Sequence, residues 1–383
     1  MDVCVVGGGI AGCAAAYQLA RRGARVQLFD REAIGGQASG RNMGLLLNQT
    51  EPDVVALMQR ALVFYEQLQD GPVRFDYRRL PQVMFATDEA EMGRVRSRAA
   101  DLAGSGLLVE EITPAELRRR HPFLATTVAG GFFIGDAVAI EPLAATVAFA
   151  EAARARGSQI LPGTRVTQLV TAGERVRGVI TDAGRFECEA VILAAGPWLP
   201  DLWRPAPISA GRGWLLRTGR LPFALDSIVE QMSWPDQDEL GRTSRPPTLG
   251  DVAAGHERTA AAAFVISPLT TGDGLIGTSL SPSLRDAYEG VGMPRSVAER
   301  ALAAAPGLRD LAITASWYGL RPMTPDGMPM VGRAGPEGLF IHGGHGSIGM
   351  MTAPATADWL AELVLGGSTP AELASLSPAR FGD

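Results

Sequence analysis

Asp2-Val-Cys-Val-Val-Gly-Gly-Gly-Ile-Ala-Gly12 opens on a short apolar run and breaks into a glycine cluster. Asp2 to Val6 predicts a buried parallel strand, Gly9 to Arg22 a helix and Arg25 to Phe29 the next strand, which together make a βαβ unit. Gly7, Gly9 and Gly12 spell G-x-G-x-x-G at the turn between strand and helix. The first glycine allows the tight turn, the second lets the backbone approach a pyrophosphate, and the third permits close helix packing while the helix N-terminus faces the anion. Ile10 and Ala11 lie inside that turn. Asp30 ends the second strand, where a carboxylate accepts hydrogen bonds from both ribose hydroxyls and repels a 2′-phosphate. With Arg31 beside it, this set predicts a dinucleotide site.

Outward from the unit, strand and helix patterns alternate at both ends of the chain, the middle is β-rich, and no internal repeat is visible. Helices are predicted at Glu51 to Leu68 and Glu141 to Arg156, with a strand at Gln82 to Ala86 and short helices to about Arg120 between them. Thr164 to Val170, Val176 to Thr181 and Arg185 to Glu187 read as a three-stranded meander. The run Val191 to Ala195, stopped by Gly196 and Pro197, reads as one more parallel strand. Phe264 to Pro268 and Leu275 to Thr278 are expected to pair antiparallel across a turn at Gly272 to Gly274, after a long surface loop from Trp234 to His256. A helix near Val297 to Ala305, strands at Thr314 to Tyr318 and Leu339 to His342, and a helix from Gly349 to Leu365 complete the pattern.

All 35 basic residues among the 383 are arginine, so no Schiff base, phosphate-loop contact or general base can come from a lysine of this chain. With 41 acidic residues the formal charge is −6 and no basic block points to nucleic acid. Cys4, Cys13 and Cys188 lack metal-like spacing and are expected to be buried thiols. The histidines His121, His256, His342 and His345 form no metal or triad pattern, so no metal is expected. The glycine-broken N-terminus does not read as a secretory signal, and no apolar run is long enough to span a bilayer, so a cytoplasmic enzyme acting on a small molecule is expected.

Four more stretches follow in order: Ala38-Ser-Gly-Arg-Asn-Met-Gly44, Val191-Ile-Leu-Ala-Ala-Gly-Pro-Trp198, Trp317-Tyr-Gly-Leu-Arg-Pro-Met-Thr-Pro-Asp-Gly-Met-Pro-Met-Val-Gly332 and His342-Gly-Gly-His-Gly-Ser-Ile-Gly349. With the N-terminal unit they resemble, over the whole chain, the D-amino acid oxidase family in the broad sense. The nearest groups are glycine oxidase, the sarcosine and proline oxidoreductases and the β subunits of opine-type dehydrogenases. The resemblance implies an α/β fold: a Rossmann-type FAD-binding domain of the glutathione-reductase-like flavin fold with an inserted mixed β-sheet substrate domain. Residues 1–80, 141–205 and 320–383 would form the first, and 81–140 and 206–319 the second. It places Val166 on the adenine side, Ala195, Gly196 and Trp198 by the pyrophosphate and ribityl chain, and Ser39, Arg41, Asn42 and Met43 on a second phosphate and flavin loop. Gly346, Ser347, Ile348, Gly349 and Met350 would open the last helix toward the flavin pyrimidine, where free amides stabilise negative charge. Arg321 would grip a substrate carboxylate over the flavin, for which a planar guanidinium is suited. His345 is either a packed ring or a flavin neighbour, and Trp317, Tyr318, Phe264 and Met323 are candidate pocket walls.

Three positions depart from the family pattern. Phe264 aligns with a tyrosine that helps hold the substrate carboxylate in the glycine-oxidase group, so either another group such as Tyr318 or Tyr288 takes over or the substrate is anchored differently. Gly319 matches the cysteine to which monomeric sarcosine oxidases attach FAD, so non-covalent FAD is expected. Ser347 stands where some relatives place another arginine. The implied activity is oxidation of the C–N bond of an amino acid, secondary amino acid or amine, by hydride transfer to flavin N5 and hydrolysis of the imine. An FAD-dependent 2-hydroxy acid dehydrogenase is the alternative, as is a flavin subunit of a hetero-oligomeric dehydrogenase or an inactive assembly subunit; a homo- or hetero-oligomer is compatible with each. In several oxidases of the resembled family a lysine near N5 speeds electron transfer to oxygen. Without one, His345, an arginine or bound product must supply the charge, and slow oxygen use is expected.

Overall fold

The computed structural model describes residues 1–231, 261–283, 292–368 and 371–382. The Trp234 to His256 stretch and Tyr288 lie outside them. Along the first half run β1 (Asp2–Val6), α1 (Ile10–Arg21), β2 (Arg25–Phe29), β3 (Leu45–Leu46), α2 (Pro52–Leu68), β4 (Tyr77–Ala86), α3 (Glu89–Gly104), β5 (Val109–Ile112), α4 (Pro114–Arg120), β6 (Gly130–Ile140) and α5 (Pro142–Arg154). Next come β7 (Gln159–Leu161), β8 (Val166–Ala172), β9 (Arg175–Thr181), β10 (Gly184–Glu187), β11 (Ala190–Leu193), β12 (Ser209–Arg220) and β13 (Ile228–Gln231). The remainder holds β14 (Ala261–Pro268), β15 (Asp273–Ser283), α6 (Gly292–Ala304), β16 (Ile313–Met323), β17 (Met330–Arg333), β18 (Leu339–Gly343) and α7 (Gly349–Val364).

The predicted βαβ unit forms the centre of a sheet ordered β17-β18-β11-β1-β2-β7. β1 lies parallel to both β2 and β11, with Val5 opposite Leu28 and Ile192. Because each face of this sheet is covered, its strands carry unbroken apolar runs instead of alternation. Gly12 sets the depth of α1: a Cβ there would stand 1.8 Å from the Gly7 carbonyl oxygen, so only glycine lets the helix start this close to the turn. Small residues Ala14, Ala15 and Ala16 and the fully buried Leu19 continue that contact. α2, α5 and α7 share one core with α1, in which a buried leucine such as Leu360 contributes about 2 kcal/mol. Across it, Arg22 at the C-terminal cap of α1 and Arg60 of α2 both pair with the buried carboxylate of Asp358 on α7.

The expected meander is present as β10-β9-β8, and the expected hairpin as β14 and β15. Both hairpin strands belong to a larger mixed sheet ordered β16-β12-β15-β14-β13-β4-β6-β3, with β5 paired to β6. Sequence patterning left β12 and β6 unassigned and cut β16 short at Tyr318. β12 reads Ser-Ala-Gly-Arg-Gly-Trp-Leu-Leu-Arg-Thr-Gly-Arg, where glycine and arginine hide any period of two, yet it pairs with β16 from Ser209 to Thr218. α3, a single sixteen-residue helix capped by Asp88, replaces the first of the expected short helices. Among the described residues no helix is long and apolar enough to cross a membrane.

Candidate active site

One cavity of about 880 Å³ extends from the glycine turn of the first sheet to the face of the second. Its first end is walled by Gly7, Gly9, Ile10, Ala11, Asp30, Arg31 and Val166, with Ala195, Gly196 and Trp198 opposite. Asp30 is fixed through its carboxylate, which accepts from the Gly8 amide at 2.6 Å and the Glu32 amide at 2.7 Å. Burial nevertheless raises its pKa, the two amides opposing the shift. Arg31 lies over the Trp198 ring, its guanidinium carbon 3.9 Å from the centroid, which brings Trp198 to the Asp30 end of the cavity.

The middle of the cavity is bounded by the loop after β2. The Ser39 hydroxyl accepts from the Ile10 amide at 2.9 Å, so this loop closes over the start of α1. Asn42 holds the loop by donating to the carbonyls of Ala38 and Ser39 and accepting from the Gly44 amide. Arg41 and Met43 line the same wall, and the indole of Trp317 donates to the Arg41 carbonyl at 3.1 Å. Gly346, Ser347, Ile348, Gly349 and Met350 reach the cavity at the start of α7, whose first amides point toward it. Gly319 faces Arg41 and Ala38 and bears no side chain to which a group could be attached.

Arg321 dominates the far end. It sits on β16, and its guanidinium crosses β12 directly over Gly213, where a Cβ would lie 2.1 Å from Nη1. Nη1 donates to the Ser279 carbonyl at 3.1 Å and Nη2 to the Thr278 hydroxyl at 3.0 Å. Both partners are neutral, and among the described residues no carboxylate pairs with it. Burial lowers its pKa to about 10. A partly buried guanidinium paired only with neutral acceptors is costly, and it retains donors for an anion entering the cavity.

Two expected wall residues sit elsewhere. Phe264 is fully buried behind β14, edge-on to Phe85 at 6.1 Å, and the next residue, Val265, faces the cavity instead. A one-residue difference along a strand exchanges its two faces, which accounts for the displacement. Tyr318 likewise points away, packed on Trp214 at 5.0 Å and beneath the guanidinium of Arg212. Of the other two candidates, Met323 lines the cavity and Trp317 meets it only through Arg41. Leu215, Glu230, Val265, Thr278 and Leu280 also form this wall, and none was singled out in the sequence. Glu230 alone left a usable signal, a carboxylate interrupting the apolar run of β13.

His345 is both packed and a wall of the cavity. Its Nε2 lies 3.3 Å from the Thr356 hydroxyl, which also contacts His342 Nε2 at 2.9 Å, while His342 Nδ1 donates to the Ala11 carbonyl at 3.0 Å. Burial pushes His342 down to about 4, and burial with the neighbouring His342 holds His345 well below the usual imidazole value. Both rings are therefore neutral near pH 7. The unfolded rings take up protons below about pH 6.5, whereas folded His342 resists until about pH 4. Stability is thus complete above about pH 6.5 and is lost as pH falls through this window, by about 3 kcal/mol from His342 alone. Urea unfolding at about pH 7 and pH 5 should show the loss, and His342→Gln should reduce it; equal losses in both proteins would overturn the assignment.

A family model described as FAD dependent oxidoreductase matches residues 2–363. The chain belongs to that family. Among curated relatives, the glycine oxidase of Geobacillus kaustophilus is 29% identical, covering 99% of this chain and 97% of its own length. The D-amino acid dehydrogenase 2 of Pseudomonas aeruginosa is 28% identical over 94% of each chain. The crystal structure of glycine oxidase from Geobacillus kaustophilus superposes with a TM-score of 0.84 at 26% identity, covering 99% of this chain and 98% of that one. This FAD-dependent oxidoreductase has the cradle its cofactor needs: a cavity of about 880 Å³, a ribose-height carboxylate at Asp30 and two helix N-termini facing inward.

Proposed function

We propose that this enzyme oxidises the C–N bond of an amino acid or secondary amino acid. The observation that carries the reading is Arg321, partly buried at the cavity end with neutral partners only among the described residues. A substrate carboxylate supplies the missing charge and takes two parallel bonds from the guanidinium, which fixes the α-carbon in one orientation. The names of the relatives, glycine oxidase and D-amino acid dehydrogenase, support an amino acid as the occupant. Bound FAD would supply the hydride acceptor for the neutral amine, and the imine left behind would be hydrolysed by water to a carbonyl acid and an amine or ammonia. The chain's own residues then have four tasks: Arg321 orients, Thr278 and Ser279 hold Arg321, Val265 and Leu280 exclude water, and Gly319 leaves the cofactor non-covalently held.

Anaerobic bleaching of the bound flavin by amino acids, with 2-hydroxy acids as the comparison, tests the proposal; bleaching by hydroxy acids alone would overturn it. Reoxidation is the second readout. No lysine exists to place a charge near the flavin, and His345 is neutral, which leaves arginines such as Arg41. The reduced enzyme is expected to pass electrons to a quinone or dye at least about tenfold faster than to oxygen. Stopped-flow reoxidation by air at the rate found with dye would contradict this.

A further inference from the structure

The same cavity has a second polar pole that the oxidation just proposed does not use. Glu230 stands on β13 with its side chain in the wall, half-buried. Among the described residues its one hydrogen-bond partner is Gln82, whose Nε2 donates to Glu230 Oε1 at 2.5 Å. That amide is held in place from behind, because the Gln82 carbonyl accepts from the Asn48 amide at 3.1 Å and from Asn48 Nδ2 at 2.9 Å. Gln82 can therefore present only its donor side to Glu230. A carboxylate has about four acceptor sites, so most of its capacity faces the cavity unfilled. No cation among the described residues forms an ion pair with it. Burial pushes the carboxyl up, opposed by Gln82 and by the more distant charge of Arg98.

Register fixes where this pole lies relative to Arg321. Glu230 pairs with Val265, and Val265 with Gly277, so the three form one row across β13, β14 and β15. Arg321 is tied to the next residue of β15, Thr278. The guanidinium lies over β12 and reaches β15, so two to three strand spacings, roughly 10–14 Å, separate it from the carboxylate's strand. A glycine-sized substrate gripped by Arg321 does not cross that distance, whereas a side chain of ornithine, lysine or arginine length does.

We propose that Glu230 is a specificity-determining residue that receives the distal cation of the substrate side chain, so that the preferred substrate is an amino acid carrying a second amine or a guanidinium. This rests on the reading of Arg321 as the α-carboxylate anchor. The cation would pair with Glu230 while the α-carboxylate pairs with Arg321, two groups for which no counter-ion is present among the described residues. An uncharged chain of the same length would leave the Glu230 carboxylate desolvated and unpaired.

The holoenzyme is assayed for flavin reduction with both enantiomers of ornithine, lysine, arginine, norleucine and citrulline, and with glycine. The expected result is a kcat/KM for one cationic substrate at least about 30-fold above norleucine and citrulline. Glu230→Gln should collapse that ratio toward one, through KM more than kcat, and perturbation of the flavin spectrum by the non-reacting enantiomer should weaken in parallel. Equal turnover of norleucine and lysine, or an unchanged ratio in Glu230→Gln, overturns the inference while leaving amino acid oxidation intact. If no amino acid reduces the flavin, the oxidation reading itself fails. Titration of the flavin spectrum with lysine against norleucine then still decides the cation site, equal affinities refuting it.

Discussion

Arg321→Ala should lower kcat/KM for the carboxylate substrate by about a thousandfold, since truncating one partner of a buried charged pair removes roughly 4 kcal/mol of binding shared by substrate and transition state. Arg321→Lys keeps a charge but loses the planar fork and should fall by about ten- to a hundredfold. Stability supplies the control. The guanidinium is partly buried against two neutral acceptors, so its removal relieves a desolvation cost and the thermal midpoint should hold. An alanine variant with wild-type kcat/KM would remove Arg321 from the site, and one that fails to fold would make it a structural residue.

Gly12→Val should yield protein without bound FAD. The new Cβ would stand 1.8 Å from the Gly7 oxygen and 3.0 Å from the Gly7 carbon, both backbone atoms, so either α1 withdraws from β1 or the turn opens. Each response moves the amides that face the cavity, and about 3 kcal/mol or more of strain falls on the cofactor cradle. Visible flavin absorbance per chain in the purified protein measures the effect. Gly93→Ala in α3, where a Cβ meets nothing within 4 Å, serves as the comparison and should purify with full flavin content. Retention of flavin by Gly12→Val would show that the start of α1 is not what holds the cofactor.

How far the sequence was legible depended on whether local chemistry or tertiary pairing decided each feature. The βαβ unit was legible because strand, glycine turn, helix and terminal Asp30 each follow from a short-range requirement and agree with one another. Arg321 was legible only through its motif, since nothing in the periodicity of β16 marks it. β12 was hidden because Gly213 is demanded by the guanidinium of a strand more than 100 residues away, a requirement with no local trace. The same holds for the choice between Phe264 and Val265: both are apolar, and only the pairing of Val265 with Glu230 and Gly277 fixes which of them faces inward. Glu230 was overlooked for the opposite reason, as a lone acid in a strand has many ordinary explanations until its neighbours are known.

The hydrogen bond from His342 to the Ala11 carbonyl joins the first turn of α1 to the strand that feeds α7, and Thr356 carries the link into α7 itself. The two helix starts that open on the cavity are thereby parts of one rigid body with a set separation. A dinucleotide that engages both behaves as a chelate: once one end is seated, the other meets its site at high effective concentration. Release then requires both ends to let go together. Long residence of FAD is the expected consequence of that rigidity, and it would let a chain with glycine at position 319 keep its cofactor without a covalent tether.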